Sequence, residues 1–191
     1  MQVLGIAGSL RGNSYNRALL RMAAERLPAG VTLVEFDRLR EIPPYDADLE
    51  EGGSVPAAVE ALREAMRKAG ALLVATPEYN HSIPGVLKNA LDWASRPAGE
   101  SALTGTPAAA VGASTGMFGA VWAQAELRKV LGALGGRVVE QELPVPHAAQ
   151  LCATGRLELE PLQAAALDSI LAKLVAEFEE LAEGGSEGDA A

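Results

Sequence analysis

Short apolar segments alternate with longer amphipathic segments along this chain. Four apolar runs are flanked by turn residues and resemble strands buried on both faces, which is typical of a parallel sheet. They are Val3–Ala7, Thr32–Phe36, Ala71–Ala75 and Ala108–Val111, with Arg137–Leu143 as a weaker fifth candidate. The other stretches have apolar residues at helical spacing: Ser14–Leu27, Val55–Lys68, Gly85–Ala94, Ala120–Leu134 and Leu157–Leu181. This order predicts a three-layer α/β fold with right-handed crossovers.

The chain is predicted to form a single domain over residues 1–182. Its 191 residues suit one sizeable core, and they contain no internal repeat or domain-scale linker. Glu183–Ala191 consists mainly of Gly, Ser and acidic residues, which predicts a disordered tail. Arg38–Gly53 carries prolines, glycines and acids, and is predicted to be a long loop after the second strand.

Composition and charge argue against several classes of partner. A formal net charge of −9 argues against non-specific binding to nucleic acids or anionic membranes, because both are negatively charged and bind positively charged protein surfaces. Cys152 is the only cysteine, so neither an intrachain disulfide nor a Cys-rich metal site is expected. The first residues have no basic segment, and no apolar stretch approaches the roughly 18 residues of a membrane span. We therefore expect a cytoplasmic protein.

Ligands of open α/β sheets bind beyond the carboxyl ends of the strands, where the winding reverses direction. Three segments of unusual composition follow predicted strands and are the candidates for such a site. They are Gly8–Asn16, Thr76–Pro84 and Gly112–Gly119.

The first segment combines groups that bind a terminal phosphate. Its glycines let backbone N–H groups turn inward, and the following helix start adds free N–H donors and partial positive charge. Arg11 adds a guanidinium fork that matches phosphate, and Ser9, Ser14 and Asn16 add side-chain donors. The Gly-Lys-Ser/Thr ending of a Walker loop is absent, and the glycine spacing does not fit the dinucleotide fingerprint. The simpler alternative is an N-cap by Ser14 beside a solvated Arg11.

The second and third segments suit a flat heterocyclic ligand. Pro77 and Pro84 stiffen both ends of a polar loop that contains one aromatic residue, Tyr79. The third segment is rich in small residues, which permit close approach of the backbone to a ring. Its N–H groups are candidates for binding the electron-rich edge of that ring.

A hydrolase is the main alternative from a different enzyme class. The third segment contains Gly-x-Ser-x-Gly around Ser114 in a strand–turn–helix setting, which is the pattern of a nucleophile elbow. Glu140 or Glu142, followed by His147, stand in the chain order of a catalytic triad. The chain is short for an α/β-hydrolase, however, and this interpretation leaves Arg11 without a task.

Taken together, the motifs resemble those of the NADPH-dependent FMN reductase family, the flavodoxin-like group that includes chromate, quinone and azo-dye reductases. The resemblance covers roughly Val3 to Val139. It rests on Gly8-Ser9-Leu10-Arg11 with Ser14 and Asn16, on Pro77-Glu78-Tyr79-Asn80 with Ser82-Ile83-Pro84-Gly85, and on Lys88-Asn89-Ala90-Leu91-Asp92-Trp93.

The resemblance implies a flavodoxin-like fold with a five-stranded parallel sheet in the order 2-1-3-4-5, helices on both faces and one non-covalent FMN. The residues that match the phosphate motif are Ser9, Arg11, Ser14 and Asn16. Those expected to line the isoalloxazine are Pro77, Glu78, Tyr79 and Asn80. The third flavin loop is matched less sharply by Ser114, Thr115, Gly116 and Gly119. His81 stands where relatives often have Gly.

The implied reaction passes hydride from NADPH or NADH to the FMN and then to a quinone, free flavin, azo compound or metal oxyanion. The flavin carries the chemistry, so no side chain is assigned a catalytic role and no metal is expected. Helix N-termini near the pyrimidine edge are expected to stabilise the reduced flavin. The alternative within the flavoproteins is an electron carrier like flavodoxin, whose phosphate loop usually has no such arginine.

The family resemblance also implies a homo-oligomer, either a dimer or a dimer of dimers. Several large apolar residues exceed what one face of each short helix needs to cover the sheet. They are Leu87, Leu91, Trp93, Trp122 and Leu127.

Overall fold

A parallel sheet runs through the centre of the molecule. The computed structural model describes residues 1–152 and 156–187 and, among these, the side chains of all but 185–187. Its strands are β1 (Gln2–Ala7), β2 (Thr32–Glu35), β3 (Ala71–Thr76), β4 (Pro107–Ala113), β5 (Arg137–Val139) and β6 (Pro144–Val145). They lie in the order β2-β1-β3-β4-β5, with β6 also paired to β4. This confirms the predicted flavodoxin-like order, with one short strand more than expected.

Helices connect the strands and cover both faces of the sheet. They are α1 (Tyr15–Arg26), α2 (Ala47–Glu51), α3 (Ala57–Lys68), α4 (Gly85–Ala94), α5 (Val121–Ala133), α6 (Ala148–Leu151) and α7 (Pro161–Glu187). The predicted bounds of α4 agree with the structure residue for residue, since Pro84 directly precedes it and fixes its start.

The core is divided by the sheet into two apolar layers. Successive strand residues point to opposite faces, so each buried strand contributes to both. Leu72 and Val74 of β3 pack with α3, α4 and α5, whereas Leu73 and Ala75 pack with α1 and α7. All residues of β3 and β4 are buried, which is the pattern predicted for central parallel strands.

Strand β2 does not have the two buried faces that its apolar composition suggested. It is the edge of the sheet and pairs only with β1. Thr32 and Val34 are exposed there, because no further layer covers that face of an edge strand.

Two predicted segments without regular structure contain helices instead. The 3₁₀ turn Leu39–Glu41 and helix α2 lie inside the predicted loop Arg38–Gly53. Asp46 caps α2 by accepting a bond from the N–H of Asp48, a local signal that suffices for one short turn of helix. Helix α7 continues to Glu187, so Glu183–Glu187 of the predicted tail is helical. Residues 188–191 lie outside the described part of the chain.

The predicted fifth strand, Arg137–Leu143, is interrupted after Val139. Beyond the break, the chain is held by the buried side chain of Gln124, which accepts from the Leu143 N–H (3.0 Å) and donates to the Gly119 carbonyl (3.1 Å). The chain then rejoins β4 as β6, with the Leu143 carbonyl accepting from Gly112 N–H (3.3 Å). Gln124 therefore joins α5, the loop after β4 and this returning segment.

The apolar residues that suggested an oligomer surface are mostly core residues. Leu87, Leu91, Trp93 and Leu127 have no exposed surface, because α4 and α5 bury them against the sheet and the neighbouring helices. Only Trp122 is exposed. Within residues 1–152 and 156–187, no helix has the length and apolarity to cross a bilayer, and no group of three or more His, Cys, Asp or Glu is placed to hold a metal ion.

Candidate functional site

The loops after β1, β3 and β4 meet at the carboxyl edge of the sheet and enclose a cavity of about 110 Å³. Its lining consists of Ser9, Arg11, Ser14, Tyr15, Asn16, Pro77, Glu78, Tyr79, Ala113, Ser114 and Thr115. Among the residues predicted from the sequence, Asn80, Gly116 and Gly119 do not line it. Tyr15 and Ala113 were not predicted, although both are adjacent in sequence to residues that were.

The loop after β1 presents polar groups that the protein itself leaves without partners. The Ser9 hydroxyl accepts from the Arg11 N–H (3.3 Å), and the Ser14 hydroxyl accepts from the Arg17 N–H (3.4 Å) as the N-cap of α1. Each hydroxyl keeps its own hydrogen to donate. Among the described residues, the backbone N–H groups of Tyr15 and Asn16 have no acceptor, and the Arg11 guanidinium has no ion pair.

Asn16 holds two of the loops together. Its side-chain amide donates to the Ala113 carbonyl (2.9 Å), and its carbonyl accepts from the Ala113 N–H (2.9 Å). The residue is 2% exposed, so both bonds are shielded from water. Its predicted part as a phosphate donor is therefore secondary to fixing the start of α1 against the end of β4.

The loop after β3 contains a tight turn that the sequence did not reveal. Tyr79 and Ser82 exchange two backbone bonds (3.0 and 3.1 Å), and the residues between them, Asn80 and His81, have φ of +53° and +62°. Glycine is favoured at such angles, which are those of a two-residue hairpin turn. The turn places Asn80 at its exposed tip, away from the cavity, and leaves Tyr79 half exposed on the cavity rim.

Glu78 joins the second loop to helix α5. Its carboxylate accepts from the backbone N–H groups of Trp122 (3.1 Å) and Ala123 (3.2 Å), in the first turn of the helix. Ala120, the N-cap residue, supplies no side-chain bond, so Glu78 provides the cap from a distant part of the chain. This helix start is consequently occupied by a protein carboxylate and does not face the cavity with free donors.

The loop after β4 has most of its backbone groups bonded within the protein. Ser114 donates to the Val145 carbonyl (3.0 Å) and accepts from the Ala148 N–H (2.9 Å), and Gly116 accepts from the His147 N–H (3.1 Å). Gly119 has φ +60°, and a Cβ there would lie 2.5 Å from the Val145 nitrogen. Thr115 lines the cavity, and in the described chain its backbone N–H has no acceptor.

The geometry of a serine hydrolase is not assembled. Ser114 does not have the positive φ of a strained nucleophile turn, and within residues 1–152 and 156–187 no hydrogen bond joins it to His147. Glu142 is instead bonded to Arg128, and Glu140 lies within ion-pair distance of the same arginine. The acids that followed Ser114 in triad order thus belong to a separate ion-pair cluster.

The donor set suits the phosphate of FMN. A phosphomonoester dianion needs several N–H or O–H donors and a cation, and the loop after β1 offers free backbone N–H groups, two hydroxyls and the unpaired Arg11. A half-exposed tyrosine on the rim and an unpaired N–H at Thr115 are suited to a ring system with a polar edge. The fold and the three loops define a flavodoxin-like nucleotide-binding protein.

Comparison with known proteins narrows this class. The family described as NADPH-dependent FMN reductase matches residues 1–150. An NAD(P)H-dependent FMN reductase of Pseudomonas aeruginosa is 52% identical over 131 residues, 69% of each chain, and a quinone reductase of Escherichia coli is 38% identical over 141 residues, 74% of each. The flavoenzyme NAD(P)H:(acceptor) oxidoreductase FerB of Paracoccus denitrificans superposes with a TM-score of 0.80 at 31% identity, covering 94% of this chain and 97% of FerB.

This chain therefore belongs to the NADPH-dependent FMN reductase family. The predicted class, an NAD(P)H-dependent oxidoreductase with FMN as its cofactor, is confirmed at the level of the family.

Proposed function

We propose that this protein is an NAD(P)H-dependent quinone reductase that binds FMN non-covalently in the cavity between the three loops. The observation that carries the proposal is the unpaired Arg11 beside the free N–H groups that begin α1. An acidic protein that leaves a guanidinium unpaired next to bare helix donors is well suited to bind a phosphate. Relatives named as quinone reductases support a quinone as the acceptor.

Each loop has a separate task in this proposal. Ser9, Arg11 and Ser14 bind the phosphate, while Asn16 positions α1 against β4. Tyr79 provides an apolar surface at the rim, and the Thr115 N–H is available for the polar edge of the ring.

FMN, when bound, supplies the hydride chemistry. The protein orients the cofactor and leaves one side of the site accessible to a small-molecule donor and then to an acceptor. The contribution of the protein on this proposal is to place the donor and the acceptor beside the flavin. Free flavins, azo compounds and metal oxyanions are further acceptors compatible with such an accessible site.

An exposed apolar patch supports a homodimer or homotetramer. Phe118 and Trp122 have ring centroids 4.8 Å apart, and His81 stacks edge-on against Trp122 at the same distance. Met117 beside them is 68% exposed. Contiguous apolar surface of this kind is typical of association sites. We propose a cytoplasmic homo-oligomer that uses this patch; light scattering that reports a monomer at micromolar concentration would contradict it.

The function is tested with purified protein incubated with FMN and freed of excess cofactor. Under anaerobic conditions NADPH or NADH should bleach the flavin absorbance rapidly, and a benzoquinone should restore it. A non-enzymatic electron carrier would stay yellow until a separate reductase is added. A protein that retains no flavin, and is instead labelled at Ser114 by a fluorophosphonate, would support a hydrolase and overturn the proposal.

A further inference from the structure

A second, larger cavity adjoins the candidate flavin cavity. It measures about 530 Å³, and the two cavities share Arg11 and Tyr79 in their linings. Its other main surfaces are provided by Leu10, Arg40, Pro84 and Val86. A ligand in the flavin cavity and a ligand in this one would therefore lie on either side of the same two side chains.

The second cavity is cationic although the whole chain is acidic. Arg11 and Arg40 line it, no acidic residue does, and among the described residues neither arginine forms an ion pair. Arg40 is held in place by one bond from its guanidinium to the Leu10 carbonyl (2.9 Å), which leaves its remaining N–H groups to bind a ligand. In a protein of net charge −9, two arginines without acidic partners form a local anion-binding surface.

The start of α4 adds backbone donors to the same cavity. Pro84, the N-cap residue, makes no side-chain cap, and within the described chain the N–H groups of Gly85 and Val86 have no acceptor. A Cβ at Gly85 or Gly12 would meet no atom within 4 Å, so the space in front of both residues is open. Unpaired N–H groups at a helix start bind phosphate readily.

The rest of the cavity wall is apolar and suits the nucleoside that carries such a phosphate. Leu10, Pro84 and Val86 are partly or fully buried, and Tyr79 presents a ring that is 51% exposed. Because Arg11 is assigned to the FMN phosphate, Arg40, two free N–H groups and an apolar wall remain for a second ligand. Together they match a nucleotide better than an inorganic anion.

We propose that this second cavity binds a phosphate group in the adenylate half of the nicotinamide donor, with Arg40 as the specificity contact. The inference rests on the proposed function, because the donor must place its nicotinamide at the flavin while its adenylate half lies on adjoining surface. Two sources of phosphate are chemically equivalent here, the 2′-phosphate of NADPH and the pyrophosphate common to NADPH and NADH.

The test compares Arg40→Gln with Arg38→Gln in the FMN-loaded protein. Arg38 lies in the same segment but is paired with Glu41 and does not line the cavity, so it controls for the loss of one positive charge. Calorimetry measures the binding of adenosine 2′,5′-bisphosphate and of ADP without any need for turnover. KM is measured for NADPH and for NADH, and the affinity for FMN is measured in parallel.

Arg40→Gln should weaken at least one adenylate probe tenfold or more and leave kcat and FMN affinity within twofold of the parent. If Arg40→Gln weakens only the binding of adenosine 2′,5′-bisphosphate and raises KM only for NADPH, then Arg40 contacts the 2′-phosphate. If the variant binds both probes more weakly and has a raised KM for both donors, then Arg40 contacts the pyrophosphate. Gly85→Trp, which fills the cavity without removing charge, should weaken the same probe.

Unchanged binding of both probes in Arg40→Gln and Gly85→Trp would overturn the proposal. An equal loss in Arg38→Gln would overturn it as well, because the effect would then be one of general charge. If the parent is not bleached by either donor, the proposed function fails, whereas the calorimetric result still decides whether the cavity binds adenylate phosphates.

Discussion

The loops after β1 and β4 have similar compositions but different relations to the rest of the protein. Both contain two glycines and small hydroxyl residues, and both precede a helix. The first keeps Arg11 and the N–H groups of Tyr15 and Asn16 unpaired in the described structure, so they are available to a ligand. In the second, the backbone of Ser114 is bonded to Val145 of β6 and to Ala148, and Gly119 is packed against β6.

Small residues in a loop at the carboxyl edge of a sheet therefore have two different explanations. They permit close approach of a ligand, or they permit close approach of another part of the same chain. The loop after β1 has the free donors expected in the first case, and most of the loop after β4 illustrates the second. Substitutions of the unpaired groups in the first loop should change ligand binding. Substitutions at tightly packed positions of the second loop, and at Asn16, which joins the two loops, should change stability.

The largest effect is expected from Gly119→Ala. The new Cβ would lie 2.5 Å from the Val145 nitrogen and 2.7 Å from the Pro144 carbonyl carbon, in backbone that cannot rotate away, and φ is +60°. We expect a loss of about 3 kcal/mol or more in the free energy of unfolding, measured by urea denaturation. Gly116→Ala is the matched control, because its Cβ would meet only the Ser114 hydroxyl at 3.8 Å. Equal stabilities of the two variants would show that Gly119 is not required by its close packing against Pro144 and Val145.

The next largest effect is expected from Asn16→Ala. The variant would leave the N–H and carbonyl of Ala113 without their partners at 2.9 Å, in a buried position. Each unsatisfied buried group costs about 1–3 kcal/mol, so we expect a loss of about 2–3 kcal/mol in unfolding free energy together with weaker FMN binding. Asn13→Ala, in the exposed part of the same loop, should change stability by no more than about 0.5 kcal/mol.

Ser114→Ala should have a small effect on catalysis. In the described structure the Ser114 hydroxyl has no hydrogen bond, and its backbone bonds do not depend on the side chain. The hydroxyl contributes at most one bond to the cofactor, worth about 1 kcal/mol, so quinone reduction should fall by about tenfold at most. The hydrolase interpretation would be restored if the variant lost nearly all quinone reduction. It would also be restored if the parent had an esterase activity that the variant lacks.

The smallest effect is expected from Asp168→Asn, far from both loops. Two bonds from Arg26 (2.6 and 2.7 Å) link α1 to α7, and the hydrogen bond from Arg26 lowers the pKa of Asp168. Because both side chains are exposed to solvent, we expect a loss of only about 0.5 kcal/mol at neutral pH. A carboxylate with a lowered pKa stabilises the folded state above its unfolded pKa, so this difference should shrink as the pH falls below about 4. A difference that persists at pH 2 would contradict the ion-pair explanation.

The order of the sheet, and the meeting of the three candidate loops at one edge of it, could be predicted because both depend on local patterns. Alternating strand and helix signals determine a parallel sheet, and such a sheet places the loops after its central strands together. The predictions that were wrong or incomplete depend on pairs distant in sequence. Asn16 is bonded to Ala113, Glu78 caps α5 at Trp122, and Gln124 is bonded to Leu143 beyond the end of β5.

Residue type alone was also insufficient to separate core from surface. Trp93 and Leu127 looked like surplus apolar residues on short helices, but both are fully buried. The face that a short helix buries depends on which elements pack against it from both sides, and the apolar spacing of one helix does not contain that information.

The most direct test of the account is the affinity of the parent and of Arg11→Ala for FMN and for riboflavin, measured by fluorescence quenching. Riboflavin lacks the phosphate, so a guanidinium that binds phosphate contributes to FMN affinity alone. A hydrogen bond to a charged group is worth about 1.5–3 kcal/mol, and we predict that Arg11→Ala weakens FMN by about ten- to a hundredfold while riboflavin changes by less than twofold. Equal losses for the two ligands would show that Arg11 does not contact the phosphate and would contradict the assignment of this loop.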